Sequence, residues 1–267
     1  MIIDFHTHVF PEPIAAKTIA KLETASGVLA NTDGCLSGLL QSSKEAGIDY
    51  SVILPVVTKP DQFETINHYA LLINNKYQDE GVISFGGVHP DCDNYEEQLE
   101  LLKKLGFCGI KLNPAYQRVF FNDIRYKRII SKAAELDMAI VVHAGIDIGL
   151  PEPIYCDPQM AAQVIEETQA PKLILAHMGG WKLWDEVEEF VVGKEVFLDM
   201  AFIHDYMPKE QFCRIVQRHG ADKILFGTDS PWANQKEVVE WLRDLALPNE
   251  DKEKIYGRNA MNLLGIR

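Results

Sequence analysis

Residues 2–10 read IIDFHTHVF, and residues 224–232 read ILFGTDSPW. Each is a short apolar run that ends on chemistry: His6 and His8 in the first, Asp229 in the second. Runs of the same kind lie between them. Apolar, largely β-branched segments occur at Ile2–Phe5, Ser51–Leu54, Val82–Phe85, Cys108–Leu112, Ala139–Val142, Leu173–Leu175, Val196–Leu198 and Ile224–Phe226. After the first, each follows the last by about thirty residues, room for one strand and one crossover helix. The linking segments carry helical spacing: Tyr95, Leu99 and Leu102 share one face, as do Phe212, Ile215, Val216 and His219. The strand runs are nearly continuous rather than alternating, the mark of strands covered on both faces. Eight such units in 267 residues predict an α/β fold, a TIM-type (β/α)8 barrel forming a single domain over residues 1–267. The alternative is an open doubly wound sheet, which more often shows a Gly-rich phosphate turn after an early strand, and none is present. The long gap from Pro11 to Gly47 predicts an insertion, an extra helix or lid over the barrel mouth. Asn249–Arg267 predicts a helix that closes the fold.

Composition narrows the classes of function. Hydrophobic residues make up 47% and charged residues 24%, which excludes a disordered, collagen-like or coiled-coil chain. Lys and Arg total 26 against 39 Asp and Glu, a net charge of −13, with no basic block. That balance argues against nucleic acid and anionic membranes as partners and leaves a small-molecule substrate. The cysteines, Cys35, Cys92, Cys108, Cys156 and Cys213, are odd in number and form no CxxC pair, so a reducing, cytoplasmic setting is expected. The opening residues have no basic segment followed by an apolar one, so no signal peptide is expected. No run reaches the ~20 apolar residues that span a bilayer. A homodimer is the default assembly.

The strand ends carry the specific signal. His6 and His8 end the first run, His89 follows the third, His143 ends the fifth, His177 ends the sixth and Asp229 follows the eighth. In a barrel the C-terminal ends of all strands meet on one rim, so these side chains converge. One histidine at a strand end is usually a hydrogen-bonded rim residue; an HxH pair with two further strand-end histidines and an aspartate is a metal-site pattern. Imidazoles with a carboxylate suit zinc first, manganese second. Simple alternation places His6 and His8 on one face, turns Ile3 and Phe5 toward the helices, and puts Asp4 behind the histidines, where it could orient a ligand. Weaker candidates for lining the pocket are His89, Tyr116, Gln117, Arg118, Phe121 and Trp232, with a plain packing or surface role open for each. Gly179 and Gly180 read as a tight turn, and Cys92 and Cys156 as small packed residues.

The order IDFHTHVFP, GIKLNP, VVHAG, LAHMGG and FGTDSPW, with GRNAMNLLGI at the end, resembles the amidohydrolase superfamily across essentially the whole chain. Within it the chain is most similar to the amidohydrolase 2 branch, which holds metal-dependent hydrolases and enzymes of the aminocarboxymuconate semialdehyde decarboxylase type. The resemblance implies one divalent metal ion held by His6, His8, His143 and Asp229, with His177 beside a metal-bound water and Asp229 carrying its proton. Lys111 stands where superfamily members with two metals carry a carboxylated lysine. It is therefore a metal bridge, which would bring in a second ion, or a contact to an anionic substrate, or a lysine reaching the rim. The leading expectation is a metal-dependent hydrolase acting on a C–O or C–N bond of a small carboxylated or cyclic substrate. Alternatives are a nonoxidative decarboxylase of a carboxylated aromatic or semialdehyde with the same site, and a barrel that binds metal without catalysis.

Overall fold

The computed structural model describes residues 1–266. Its strands are β1 (Ile3–Thr7), β2 (Tyr50–Ile53), β3 (Val82–Ser84), β4 (Gly86–Gly87), β5 (Gly109–Leu112), β6 (Ala139–Val142), β7 (Leu173–Leu175), β8 (Phe197–Asp199) and β9 (Ile224–Leu225). Neighbours pair in parallel and in chain order, β1 to β3 and β4 to β9. The third expected strand is divided at Phe85, whose N–H still donates to the Ile53 carbonyl at 2.9 Å. The last strand returns to the first. Phe5 N–H donates to Phe226 O (2.9 Å), Asp229 N–H donates to His6 O (2.8 Å), and Thr7 bridges to Ser230 in parallel.

Where the sheet is broken, a helix repairs it. Asn67 and Asn74 lie seven residues apart, two turns along one face of the helix Phe63–Tyr77. Asn67 donates to Gly87 O and accepts from Gly87 N, both at 2.9 Å. Asn74 donates to Ser84 O (2.9 Å) and accepts from Ser84 N (2.6 Å). Two side-chain amides thus act as a short artificial strand beside β3 and β4. Gly86 and Gly87 suit this place, because a Cβ on Gly86 would lie 2.9 Å from the Asn67 amide oxygen.

The barrel floor is filled by Ile3, Phe5, Val52, Leu54, Phe85, Ala139, Val141, Ile174 and Leu225, drawn from strands all round the ring. Phe5 meets Phe85 edge-on with centroids 5.7 Å apart. This corrects the alternation expected for β1. The register against β2 slips between Asp4 and Thr7, so β1 carries one extra residue there. A bulge of this kind lets Phe5 and His6 both face the barrel interior. Asp4 falls on the other side, where it accepts from Thr228 N–H (2.9 Å) and from Gln235 Nε2 (2.7 Å).

The segment 11–47 forms two helices, Glu12–Ser26 and Leu36–Ala46. The second packs on the helix Gln235–Arg243 in the outer ring. The first lies over the barrel mouth, where its residues wall a cavity. At the C-terminal end, Asn249–Glu253, a wider turn at Lys254–Arg258 and Asn259–Leu264 follow without a break, and Ala260 and Leu263 pack beneath the floor. The last residue of the expected closing helix, Arg267, lies outside the described residues. No helix among them is long and apolar enough to cross a membrane.

Candidate metal centre

Three ligand atoms meet above the floor. His6 Nε2 and His8 Nε2 are 3.2 Å apart, and Asp229 Oδ1 lies 3.3 Å from the first and 3.1 Å from the second. The opposite ring nitrogens fix the tautomers. His6 Nδ1 donates to the buried Asp199 carboxylate at 2.9 Å, and His8 Nδ1 donates to the Leu54 carbonyl at 2.8 Å. With hydrogen on those Nδ1 atoms, each ring turns its Nε2 toward Asp229. Burial foremost, then the Lys111 ammonium, pushes His6 well below the usual imidazole range, so that ring stays neutral. Burial alone would raise Asp229; positive charge at the His6 and His8 ring nitrogens, such as a cation there would supply, holds the carboxyl below its usual range.

Two imidazole lone pairs and a carboxylate oxygen pointing at one another repel unless a cation stands among them. An ion with bonds of about 2.0–2.1 Å sets tetrahedral ligand atoms roughly 3.4 Å apart, close to the observed spacings. The donor set therefore fits a single divalent ion. Among the described residues, these three form the one such cluster.

His143 sits beside the cluster rather than within it. Its Nδ1 is 3.0 Å from His177 Nε2, and His177 Nδ1 is 2.9 Å from the Ala201 carbonyl. A carbonyl only accepts, so His177 carries hydrogen on Nδ1 and accepts from His143 Nδ1. This leaves His143 Nε2 a buried lone pair with no hydrogen-bond partner, the orphan expected of a fourth ligand. Asp147 Oδ2 is 3.7 Å from that atom. His177 thus orients His143 through Nε2 and also lines the cavity over the cluster.

Lys111 is 1% exposed, and its Nζ lies 3.2 Å from His6 Nε2. Burial lowers it to about 8, with Asp199, Asp229 and Asp147 opposing. Sequence reasoning passed over two acids. Asp199, at the end of β8, bonds His6 Nδ1 and also accepts from the backbone N–H groups of His177 and Ala201, both at 3.0 Å. Asp147 lies in the loop after β6, its Oδ1 accepting from Gly149 N–H. Asp199 was findable, since it follows an apolar run as His143 and His177 do. Asp4 touches no imidazole ring; Asp199 holds the orienting position expected of it.

A cavity of about 410 Å³ opens over the cluster. Tyr116, Trp181, Phe202 and Trp232 line it beside the ligand atoms. Arg118 and Phe121 do not. Arg118 takes a left-handed turn (φ 56°) that throws its side chain into solvent. Phe121 is fully buried among the helices against Tyr126, with centroids 5.7 Å apart. Gln117 ties two loops, donating to Val57 O and Val88 O, and His89 Nδ1 accepts from Asp91 N–H. His177, Met178, Phe202 and Asp229 all take positive φ, so backbone strain collects around the site.

The family model described as amidohydrolase matches residues 3–266. A curated relative, the gamma-resorcylate decarboxylase of Polaromonas sp. (strain JS666 / ATCC BAA-500), is 26% identical over 124 residues, covering 40% of this chain; the chain spans 38% of that relative's length. Among solved structures, an uncharacterised TIM-barrel protein of Bordetella bronchiseptica aligns with a TM-score of 0.78 at 18% identity, over 99% of this chain and 98% of that one. A dihydroxybenzoic acid decarboxylase of Polaromonas sp. JS666, with bound manganese and the inhibitor 2-nitroresorcinol, aligns at 0.73 and 17% identity, over 99% and 97%. These likenesses establish the TIM-barrel fold.

Proposed function

The chain belongs to the amidohydrolase family, and from that premise we propose that it is a metal-dependent, nonoxidative decarboxylase of a hydroxylated aromatic acid. The observation that carries the reading is a buried ammonium, Lys111 Nζ, beside the ligand cluster in a chamber walled by Tyr116, Trp181, Phe202 and Trp232. A flat ring fits the aromatic walls, and a carboxylate fits the ammonium. The relatives that act on ring carboxylates favour this reading over the hydrolase expected first.

His6, His8, Asp229 and the lone pair of His143 would hold one divalent ion; the manganese of the Polaromonas structure makes it the ion to try before zinc. When bound, the ion would supply a Lewis acid that withdraws negative charge from the substrate's oxygens. Lys111 anchors the carboxylate and, buried in apolar surroundings, keeps it out of water. Asp229 is a carboxylate at neutral pH, so it takes the proton of a hydroxyl ortho to the carboxylate and delivers it to the ring carbon. The bond from that carbon to CO2 then breaks, its electron pair returning to the ring. One solvent proton restores the hydroxyl, so the balance is ArCO2⁻ + H⁺ → ArH + CO2. The His143–His177 pair leaves no facing nitrogens for a second ion, so Lys111 serves as an unmodified amine.

The manganese-loaded protein is to be assayed against hydroxybenzoates for CO2 and against lactones and amides for acid. Release of CO2, cut by a factor of about 10²–10⁴ in Asp229→Asn, is expected. Acid from lactones or amides with no CO2 from any hydroxybenzoate would replace the decarboxylase by the hydrolase.

A further inference from the structure

The cavity is lined by more than the ligand cluster and the aromatic side chains beside it. Two helices supply further wall. Glu12–Ser26 contributes Ile14, Thr18 and Leu22, spaced by four along one face, and Phe63–Tyr77 contributes Ile66, Tyr69 and Ile73. At 1.5 Å per residue the stripe from Ile14 to Leu22 runs about 12 Å. The first helix already has an apolar face buried against the protein, Ala15 and Ile19. Its cavity face is a second one, and Ile14 on it is 51% exposed. The aromatic walls near Lys111 account for a ring, and the remaining apolar length is left for something else. Its continuity with the charged end makes one amphipathic molecule the natural occupant.

We propose that this apolar end is a substrate subsite, and that the substrate is a hydroxylated aromatic acid carrying an alkyl chain several carbons long, with its carboxylate at the ligand cluster and the chain between the two helices. The polar end of the proposal rests on the decarboxylase reading, and the apolar end on the helix faces alone. Each methylene buried there tightens binding about fourfold.

The test is calorimetric titration of the manganese-loaded protein with salicylate and with alkylsalicylates from methyl to hexyl, which needs no turnover. Affinity should climb with chain length. The double variant Ile14→Gln, Leu22→Gln should flatten the climb while leaving salicylate itself unchanged; neither side chain belongs to the ligand cluster, and Ile14 is half-exposed, so folding is kept. Salicylate binding with affinity flat or falling along the series would overturn the subsite and leave the decarboxylase reading standing. Flat affinity together with loss of a dimer in Ile14→Gln, seen by light scattering, would assign the face to a second copy of the chain and also overturn it. Binding of the matching alkylphenols but not of any acid would sustain the subsite and overturn the acid reading. No binding by either series would overturn both.

Discussion

His219 is buried, as His6 is, yet its ring nitrogens are spent differently from those at the barrel mouth. His219 closes the helix Lys209–His219 far from the mouth. Its Nδ1 accepts from Gly193 N–H (3.0 Å), and its Nε2 donates to Val196 O (2.8 Å). Both nitrogens are spent on backbone, so the ring is a fastener. His6 and His8 each spend one nitrogen on a fixed acceptor and turn the other toward Asp229, with His6 Nε2 also 3.2 Å from Lys111 Nζ. His143 spends one on His177 and leaves the other unpartnered. Burial does not separate a ligand histidine from a structural one; the partner of its second nitrogen does.

The contrast is broken hardest by His8→Ala. That ring is partly exposed, so the fold should survive its loss. Metal content, by elemental analysis after dialysis, should fall from about one ion per chain to near none, a loss of affinity beyond the 10–100-fold typical of residues that only support a ligand. Asp199→Asn should fall within that 10–100-fold range, because it weakens the grip on His6 Nδ1 without removing a ligand. Metal titration followed by thermal shift reads both, and equal losses in the two variants would erase the distinction between holding the ion and holding the holder.

His219→Leu gives the mirror result and the smallest change. Metal content should stay the same. Stranding Gly193 N–H and Val196 O should cost about 1–3 kcal/mol, seen as a fall of several degrees in Tm. The sign with pH follows from the shift. Burial lowers His219 in the folded chain, so the neutral ring contributes stability above its unfolded value of 6.5, and this is lost as pH falls below that. The Tm gap between wild type and variant should therefore narrow between pH 7 and pH 5. A gap that widens on acidification would mean that the ring is charged in the fold.

Much of the site was legible because a barrel converts position in sequence into position in space. Strand-end residues converge whatever their separation, so His6, His8, His143 and Asp229 could be grouped unseen. What was not legible depends on backbone that side-chain pattern does not report. The bulge in β1 moves Asp4 to the far side, yet IDFHTH reads as an ordinary alternating strand. The left-handed turn at Arg118 has no glycine or asparagine to announce it, so the loop after β5 seemed free to aim Arg118 and Phe121 at the pocket. Asp199 was hidden by its company, because the histidines with Asp229 already complete a ligand set that calls for no second acid.

The two walls of the apolar chamber differ in how they are held. The helix Phe63–Tyr77 is sewn to the sheet by Asn67 and Asn74, so its wall is as fixed as the barrel itself. Among the described residues, the helix Glu12–Ser26 makes no side-chain hydrogen bond to any strand. Mutations along that helix can recut the pocket without unpairing the barrel. It is the part of this protein best placed to let an unchanged catalytic centre meet new substrates, in the laboratory or by natural selection.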